Sequence, residues 1–118
     1  MAFLASGCMK ICGDDIVERI KSPSGKFDAL RMKRNCGATT GFATHVNIVD
    51  GDAQPSYRSS GAAWDGEVIT FCDIATPDVR WSSDTDVTIS YPAELDGCAI
   101  KRAPRQKGIA VSYQPVTQ

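Results

Sequence analysis

Histidine is nearly missing from this chain of 118 residues: His45 stands alone. With one imidazole, no C-x₂-C pair and no compact cysteine run, neither a structural zinc site nor an iron–sulfur cluster fits the sequence. An apolar run approaching the roughly 18 residues of a membrane-spanning helix is also lacking. Neither charge sign dominates, with 13 Lys and Arg against 14 Asp and Glu. That balance excludes a general nucleic-acid binder working through a chain-wide basic field. There is no internal repeat, no coiled-coil heptad and no low-complexity tract. The apolar share of 42% and the charged share of 23% are those of a globular protein, which rules out wholesale disorder. The length is that of one domain, able to bury about two-thirds of its unfolded surface.

Cysteine, by contrast, is plentiful: Cys8, Cys12, Cys36, Cys72 and Cys98. Such a load means either a reduced intracellular protein with buried thiols or an exported one with disulfides and one cysteine left over. The stretch Phe3-Leu4-Ala5-Ser6-Gly7-Cys8 resembles the lipobox of bacterial lipoproteins, in which small residues precede a lipidated cysteine. The commonest lipobox has Leu three places before the cysteine, where this chain has Ala5, with Leu4 one place earlier. No basic residue and no full apolar region precede Cys8, so residues 1–8 read as the remnant of a signal, with a single β domain over 9–118. The plainer reading is an apolar N-terminus that packs on the core. With Cys8 lipidated, the other four cysteines form an even set. They allow three connectivities, and Cys12–Cys36 with Cys72–Cys98 is the favoured one because each pair joins neighbouring segments. In the chain-entropy model each such loop contributes about 3.5 kcal/mol. For Cys72, between Phe71 and Asp73 and near Ile69, the simpler alternative is a buried thiol acting as a small apolar residue.

Turn residues recur at short intervals: Ser22-Pro23-Ser24-Gly25, Asp50-Gly51, Asp65-Gly66, Thr76-Pro77, Tyr91-Pro92 and Asp96-Gly97. Between them, apolar residues alternate with polar ones. Val46 and Ile48 fall on one face of a strand, with His45 and Asn47 on the other. Val87, Ile89 and Tyr91 point inward, as do Ile109, Val111 and Tyr113. Val68-Ile69-Thr70-Phe71-Cys72 is apolar on both faces, the mark of a strand inside a layered structure. Val79 and Trp81, with Trp81 in the core, lead through Ser82-Ser83-Asp84 into the Val87 strand as a hairpin. Phe27 to Arg34 reads as a strand by its bounded length. The one helical candidate is a short turn at Asp14–Ile20, from its Ile16/Ile20 spacing and early carboxylates. The expected fold is all-β: a small antiparallel sandwich or barrel. Residues 54–64, which show no strand pattern, form a long exposed loop.

Cys12, the Ser22-Pro23-Ser24-Gly25-Lys26 turn and the run Cys36-Gly37-Ala38-Thr39-Thr40 before a strand are together similar to a family of small uncharacterised bacterial proteins. The likeness spans about residues 12–50. It implies export or lipid anchoring and supports pairing Cys12 with Cys36; the family carries no assigned activity to transfer.

Four constellations could carry chemistry. Cys36 and His45 are the only available thiol and base, and Gly37 and Gly41 would leave backbone N–H groups open near the sulfur. A disulfide at Cys36 would abolish the nucleophile, and a structural cysteine beside a solvated histidine is the expected outcome. The run from Gly37 to Gly41 lacks the Lys and the following helix of a P-loop. Asp73, Asp78, Asp84 and Asp86 lack an EF-hand pattern and suit turns. Lys101, Arg102, Arg105 and Lys107 could meet an acidic partner, but fit a solvated hairpin whose cations discourage edge pairing. Trp, Tyr and Arg anchor interfaces, which singles out Tyr57, Arg58 and Trp64 in the long loop, with Thr39 and Thr40 in the loop over 36–41 as a second contact surface. The sequence thus points to a non-enzymatic protein of the periplasm or the outer face of the bacterial membrane, held there through lipid on Cys8. It would bind another, unidentified protein, as an inhibitor or immunity-type protein does, with no metal, no cofactor and no nucleic-acid partner. The alternatives are a thiol-dependent enzyme using Cys36 and His45, or a reduced cytosolic binding protein of mobile-element origin.

Overall fold

The turn residues set the strand ends much as their chemistry dictates. A computed structural model describes residues 13–35, 42–56, 66–73 and 75–117. Among them are eight strands: β1 (Gly13–Lys21), β2 (Phe27–Asn35), β3 (Phe42–Asp50), β4 (Glu67–Phe71), β5 (Asp78–Ser83), β6 (Asp86–Pro92), β7 (Arg105–Gln106) and β8 (Ile109–Val116). A 3₁₀ turn occupies Ala93–Cys98. The first sheet is an antiparallel meander in the order β1-β2-β3-β4, and the second has the order β5-β6-β8-β7. The all-β sandwich reading therefore holds.

The second sheet departs from an antiparallel scheme, because β6 and β8 run parallel, Val87 opposite Val111 and Ile89 opposite Tyr113. A parallel pair needs a long crossover. Here it is supplied by the 3₁₀ turn, the extended segment 99–104 and the β7–β8 hairpin. Lys107 and Gly108, both at positive φ (55° and 78°), form the two-residue turn of that hairpin, a backbone twist matched to paired strands.

Period-two alternation builds the core. Ala29, Val46, Ile48, Ile69 and Phe71 of the first sheet meet Val79, Val87, Ile89, Tyr91, Ile109 and Val111 of the second. The Phe71 and Tyr91 rings pack edge to face, centroids 4.9 Å apart. Trp81 is only partly buried. It packs against the core while its indole N–H donates to Ile20 O at 2.9 Å. Gly66, at φ +77°, leads into β4 so close to β3 that a Cβ would sit 2.1 Å from Ile48 O.

Both flanks of the sandwich are tied. On one, Trp81 reaches β1, and the Ser24 N–H donates to Asp84 Oδ1 at 3.1 Å. On the other, the free edge of β4 pairs with the crossover: Thr70 and Ile100 exchange N–H···O bonds of 3.0 and 2.8 Å, and Ala103 N–H donates to Val68 O at 2.9 Å. The Tyr113 hydroxyl lies 2.7 Å from Ala103 O and 3.0 Å from Val68 O. The Cys72–Cys98 disulfide closes this seam from the end of β4 to the end of the 3₁₀ turn. Burial pushes the Tyr113 phenol far above its ordinary pKa.

The segment Asp14–Ile20, expected as a helical turn, is the greater part of β1. Ile16 and Ile20 are spaced as on one helix face, but a β-bulge at Val17 inserts one residue and sends them to opposite faces of the sheet. Ile16 then pairs with Met32 on the outer face of the sheet, whereas Ile20 pairs with Ala29 and packs on the core. Full-length pairing with β2 outweighs the weak local helix signal.

Candidate functional site

The outer face of the first sheet is not the solvated surface that alternation leads one to expect. Leu30, Met32 and Val49 are buried there in a second apolar cluster, with Ile16 and Ala53 packed against them. Beside this cluster lies a lattice of charged and polar side chains fixed by strand register. Asp14 pairs with Arg34, His45 pairs with Met32 and Thr70, and Asn47 pairs with Leu30 and Glu67. Because successive side chains alternate, these residues share one face.

Arg34 is the hub. Its Nε donates to Asp14 Oδ1 at 3.0 Å and its Nη2 to Asp14 Oδ2 at 3.2 Å, the planar fork of a bidentate pair. The same Nη2 lies 3.1 Å from Glu67 Oε1, and the Thr70 hydroxyl donates to Glu67 Oε2. Burial alone would lower the Arg34 pKa, but Asp14 and then Glu67 outweigh it and hold the guanidinium above its ordinary range.

His45 is fully buried. This corrects the expectation of a solvated imidazole: the residue does point outward from the sandwich core, but into the covered polar lattice. Its Nδ1 lies 2.6 Å from Asn47 Oδ1, and with that oxygen as acceptor Nδ1 carries the proton. Nε2 sits 3.4 Å from Asp14 Oδ2 and has no hydrogen-bond partner among the described residues. Glu67 Oε1 is 3.9 Å from Nδ1. Asp14 is thus a carboxylate beside the imidazole, the kind of third group that spacing in the sequence did not reveal.

Further along the same face Asp28 is buried with no exposed side-chain area. It accepts from Arg19 Nη1 at 2.7 Å, from the Asp52 N–H at 2.9 Å and from Lys21 Nζ at 3.4 Å. Burial pushes its carboxyl upward. The Asp52 N–H, Arg19 and Lys21 together outweigh that push and hold it below the usual carboxylate range.

The remaining sequence-predicted residues divide into three groups. Cys72 and Cys98 are bonded to each other, so the reading of Cys72 as a simple buried thiol is replaced. Cys8, Cys12, Cys36, Thr39, Thr40, Tyr57, Arg58 and Trp64 lie outside the described residues. Of the aspartates, Asp78 pairs with its neighbour Arg80 at 2.6 Å and Asp86 accepts from the Ser83 hydroxyl, whereas Asp84 accepts from the distant Ser24 N–H. Of the basic stretch, Arg102 is bound to Asp96 at 2.9 Å and Lys107 to Asp50 at 3.6 Å. Arg105 lies in β7 and Lys101 in the extended segment before it, at φ 58°. Sequence reasoning missed Asp14, Arg34, Glu67 and Thr70. The available signal was the alternation of Phe27 to Asn35, which puts Arg34 on the same face as Met32 and Leu30. No family model, curated protein or solved structure matches the chain.

Proposed function

We propose that this chain is a non-catalytic β-domain of the bacterial cell envelope that acts by binding another protein, in the manner of an inhibitor or immunity-type protein. The observation that carries the reading is the state of the single histidine: His45, the only imidazole base, is buried and engaged by Asn47 within the sheet lattice. Side chains able to do proton chemistry there, Asp14, Glu67 and His45, are bound up with Arg34, Thr70 and Asn47 in holding the sheet. By contrast Val17, Ile100 and Val116 are exposed apolar residues, the raw material of contact surfaces. The Cys72–Cys98 bond is compatible with an extracytoplasmic location. No helix among the described residues is long and apolar enough to cross a membrane.

The β1–β2 register supports a second bridge. Gly13 pairs with Asn35 at the end of the described register, and Cys12 and Cys36 adjoin these two residues in sequence. The contact surfaces are assigned to residues 54–64, with Tyr57, Arg58 and Trp64, and to Thr39 and Thr40, with lipid on Cys8 as the tether. Cross-linking mass spectrometry on protein recovered from its native host tests the whole reading. A lipid adduct on Cys8, a Cys12–Cys36 peptide pair and cross-links from residues 54–64 to one protein are expected, the last being lost on Tyr57→Ala/Trp64→Ala. A free, alkylatable Cys36 would overturn it.

A second reading, a thiol enzyme using Cys36 and His45, is favoured by one observation: with Nδ1 holding the proton toward Asn47, Nε2 of His45 is a basic nitrogen without a hydrogen-bond partner among the described residues. The same alkylation result decides between the two.

A further inference from the structure

The segment over 99–103, which carries the chain from the 3₁₀ turn toward β7, is held on the edge of β4 by few contacts. The 3₁₀ turn before it contains no buried residue and has no side-chain hydrogen bond at its N-cap. Within the segment, Ala99 is buried in the core and Ala103 packs partly against it, two of the smallest apolar side chains. Two further features work against its docking. Ile100, set opposite Thr70, keeps 64% of its surface exposed. Lys101 next to it lies at φ 58°, in the left-handed region that a residue with a Cβ disfavours. What opposes them is a short seam of backbone bonds, the Tyr113 hydroxyl and the Cys72–Cys98 bond.

That bond is placed where a reductant can reach it. Cys72 is exposed and Cys98 half-buried, and neither belongs to the two apolar clusters. Beneath the segment, Val68 to Phe71 of β4 are buried. The Thr70 N–H and the carbonyls of Thr70 and Val68 are the β4 groups that the segment pairs with. Once the segment is off, they become an open strand edge, of the kind that accepts a further strand. The second sheet stays whole meanwhile, because β6 and β8 pair with each other from Asp86 and Ala110 to Pro92 and Val116.

We propose that Cys72–Cys98 is a reversible redox latch: its reduction in the folded protein frees residues 99–103 and bares the β4 edge, with both sheets intact. The reductant is a dithiol. One of its thiolates attacks the sulfur of the exposed Cys72; the S–S bond breaks, and Cys98 leaves as a thiolate and takes up a proton. The second thiolate of the reductant then attacks the first within the mixed disulfide, and Cys72 leaves and is protonated in turn. Two electrons have passed to the cysteine pair, now two thiols, and the dithiol has become a disulfide. Re-oxidation by a disulfide of the same class runs the exchange backward and closes the seam. The latch does not rest on the protein-binding function proposed above, since it involves a different part of the surface.

The test uses the full chain in buffers of reduced and oxidised dithiothreitol at stepped ratios. N-ethylmaleimide labelling mapped to each cysteine reads the latch, and hydrogen exchange of the Thr70, Ile100 and Ala103 amides reads the seam. Cys72 and Cys98 are expected to label together while the β6 and β8 amides keep their protection. Over the same ratios, exchange at the three seam amides is expected to rise about tenfold or more, and to slow again on re-oxidation. Cys72→Ser/Cys98→Ser is expected to hold the fast rates at every ratio, which separates the latch from the remaining cysteines. If that variant does not fold, wild-type labelling and exchange carry the test unaided. Thiols that label only when β6 and β8 also lose protection would make the bond a fixed staple and overturn the inference. So would a reduced protein whose seam amides exchange as slowly as before. The protein-binding function would survive either result, since it is read from cross-links.

Discussion

Asp28 offers the sharpest trial of the claim that charges buried on the outer face hold the first sheet. Replacing it with Asn keeps the shape and removes the charge. The wild-type carboxylate accepts from Arg19 Nη1, the Asp52 N–H and Lys21 Nζ, with no exposed side-chain area of its own. Removing one partner of a buried ion pair costs about 3–5 kcal/mol when the other charge is stranded. Here it is not fully stranded: Arg19 keeps the Ala53 carbonyl at 2.8 Å and Lys21 keeps Asp52 at 2.6 Å. The expected loss at pH 7 is therefore about 2–3 kcal/mol, near the strength of one charge-assisted hydrogen bond. That is a fall in Tm of roughly 10 °C for a chain of this size.

The pH dependence follows from the direction of the Asp28 shift. Its folded pKa is depressed, so its contribution is complete above the unfolded value of about 4 and is lost as pH falls through the folded value. Wild type and Asp28→Asn should differ most at neutral pH, begin to converge below the unfolded carboxylate value of about 4, and meet only once pH has fallen below the depressed folded value. Urea unfolding at a series of pH values, disulfides intact, measures this directly, with an unchanged m-value as the check that only stability has moved. A neutral-pH difference below about 0.5 kcal/mol, the range of ordinary surface changes, would refute the reasoning. So would a gap that stays constant into acid.

Two further outcomes follow from the fold. Gly66→Ala should destabilise by more than about 2 kcal/mol, combining a positive-φ penalty with a Cβ placed 2.1 Å from Ile48 O, whereas Gly97→Ala, whose Cβ meets nothing within 4 Å, should stay within about 0.5 kcal/mol by thermal unfolding. Cys72→Ala/Cys98→Ala should cost about 3–4 kcal/mol for a span of this length. Hydrogen exchange should quicken most at Thr70, Ile100 and Ala103, whose amides form the seam that the bond closes.

Much of the scaffold was readable from alternation and turn chemistry alone. Val46/Ile48, Val87/Ile89/Tyr91 and Ile109/Val111 all face the core, the two-sided apolar stretch from Val68 is β4, and Cys72 joins Cys98. Alternation also gave the direction of His45 correctly but carried no signal that this outer position is buried. The bulge at Val17 defeated the reading of β1, since one inserted residue breaks the two-residue alternation that would have marked a strand. The polar lattice was hidden for a similar reason. Asp14, Arg34 and Glu67 come from three strands and meet only through register, which no local window contains. The parallel placement of β8 beside β6 likewise depends on the crossover and not on either strand's own residues.

The two faces of the first sheet carry chemistries that cannot be exchanged. A shift of β3 by one residue against its neighbours would turn His45 and Asn47 toward Val87 and Ile89, and would set Val46 and Ile48 against the Asp14–Arg34 pair on the outer face. Ion pairs of this kind add little to the depth of the native minimum compared with well-packed apolar side chains. Their effect is to raise every misaligned pairing far above it, so the meander has a single alignment in which both of its surfaces are at rest.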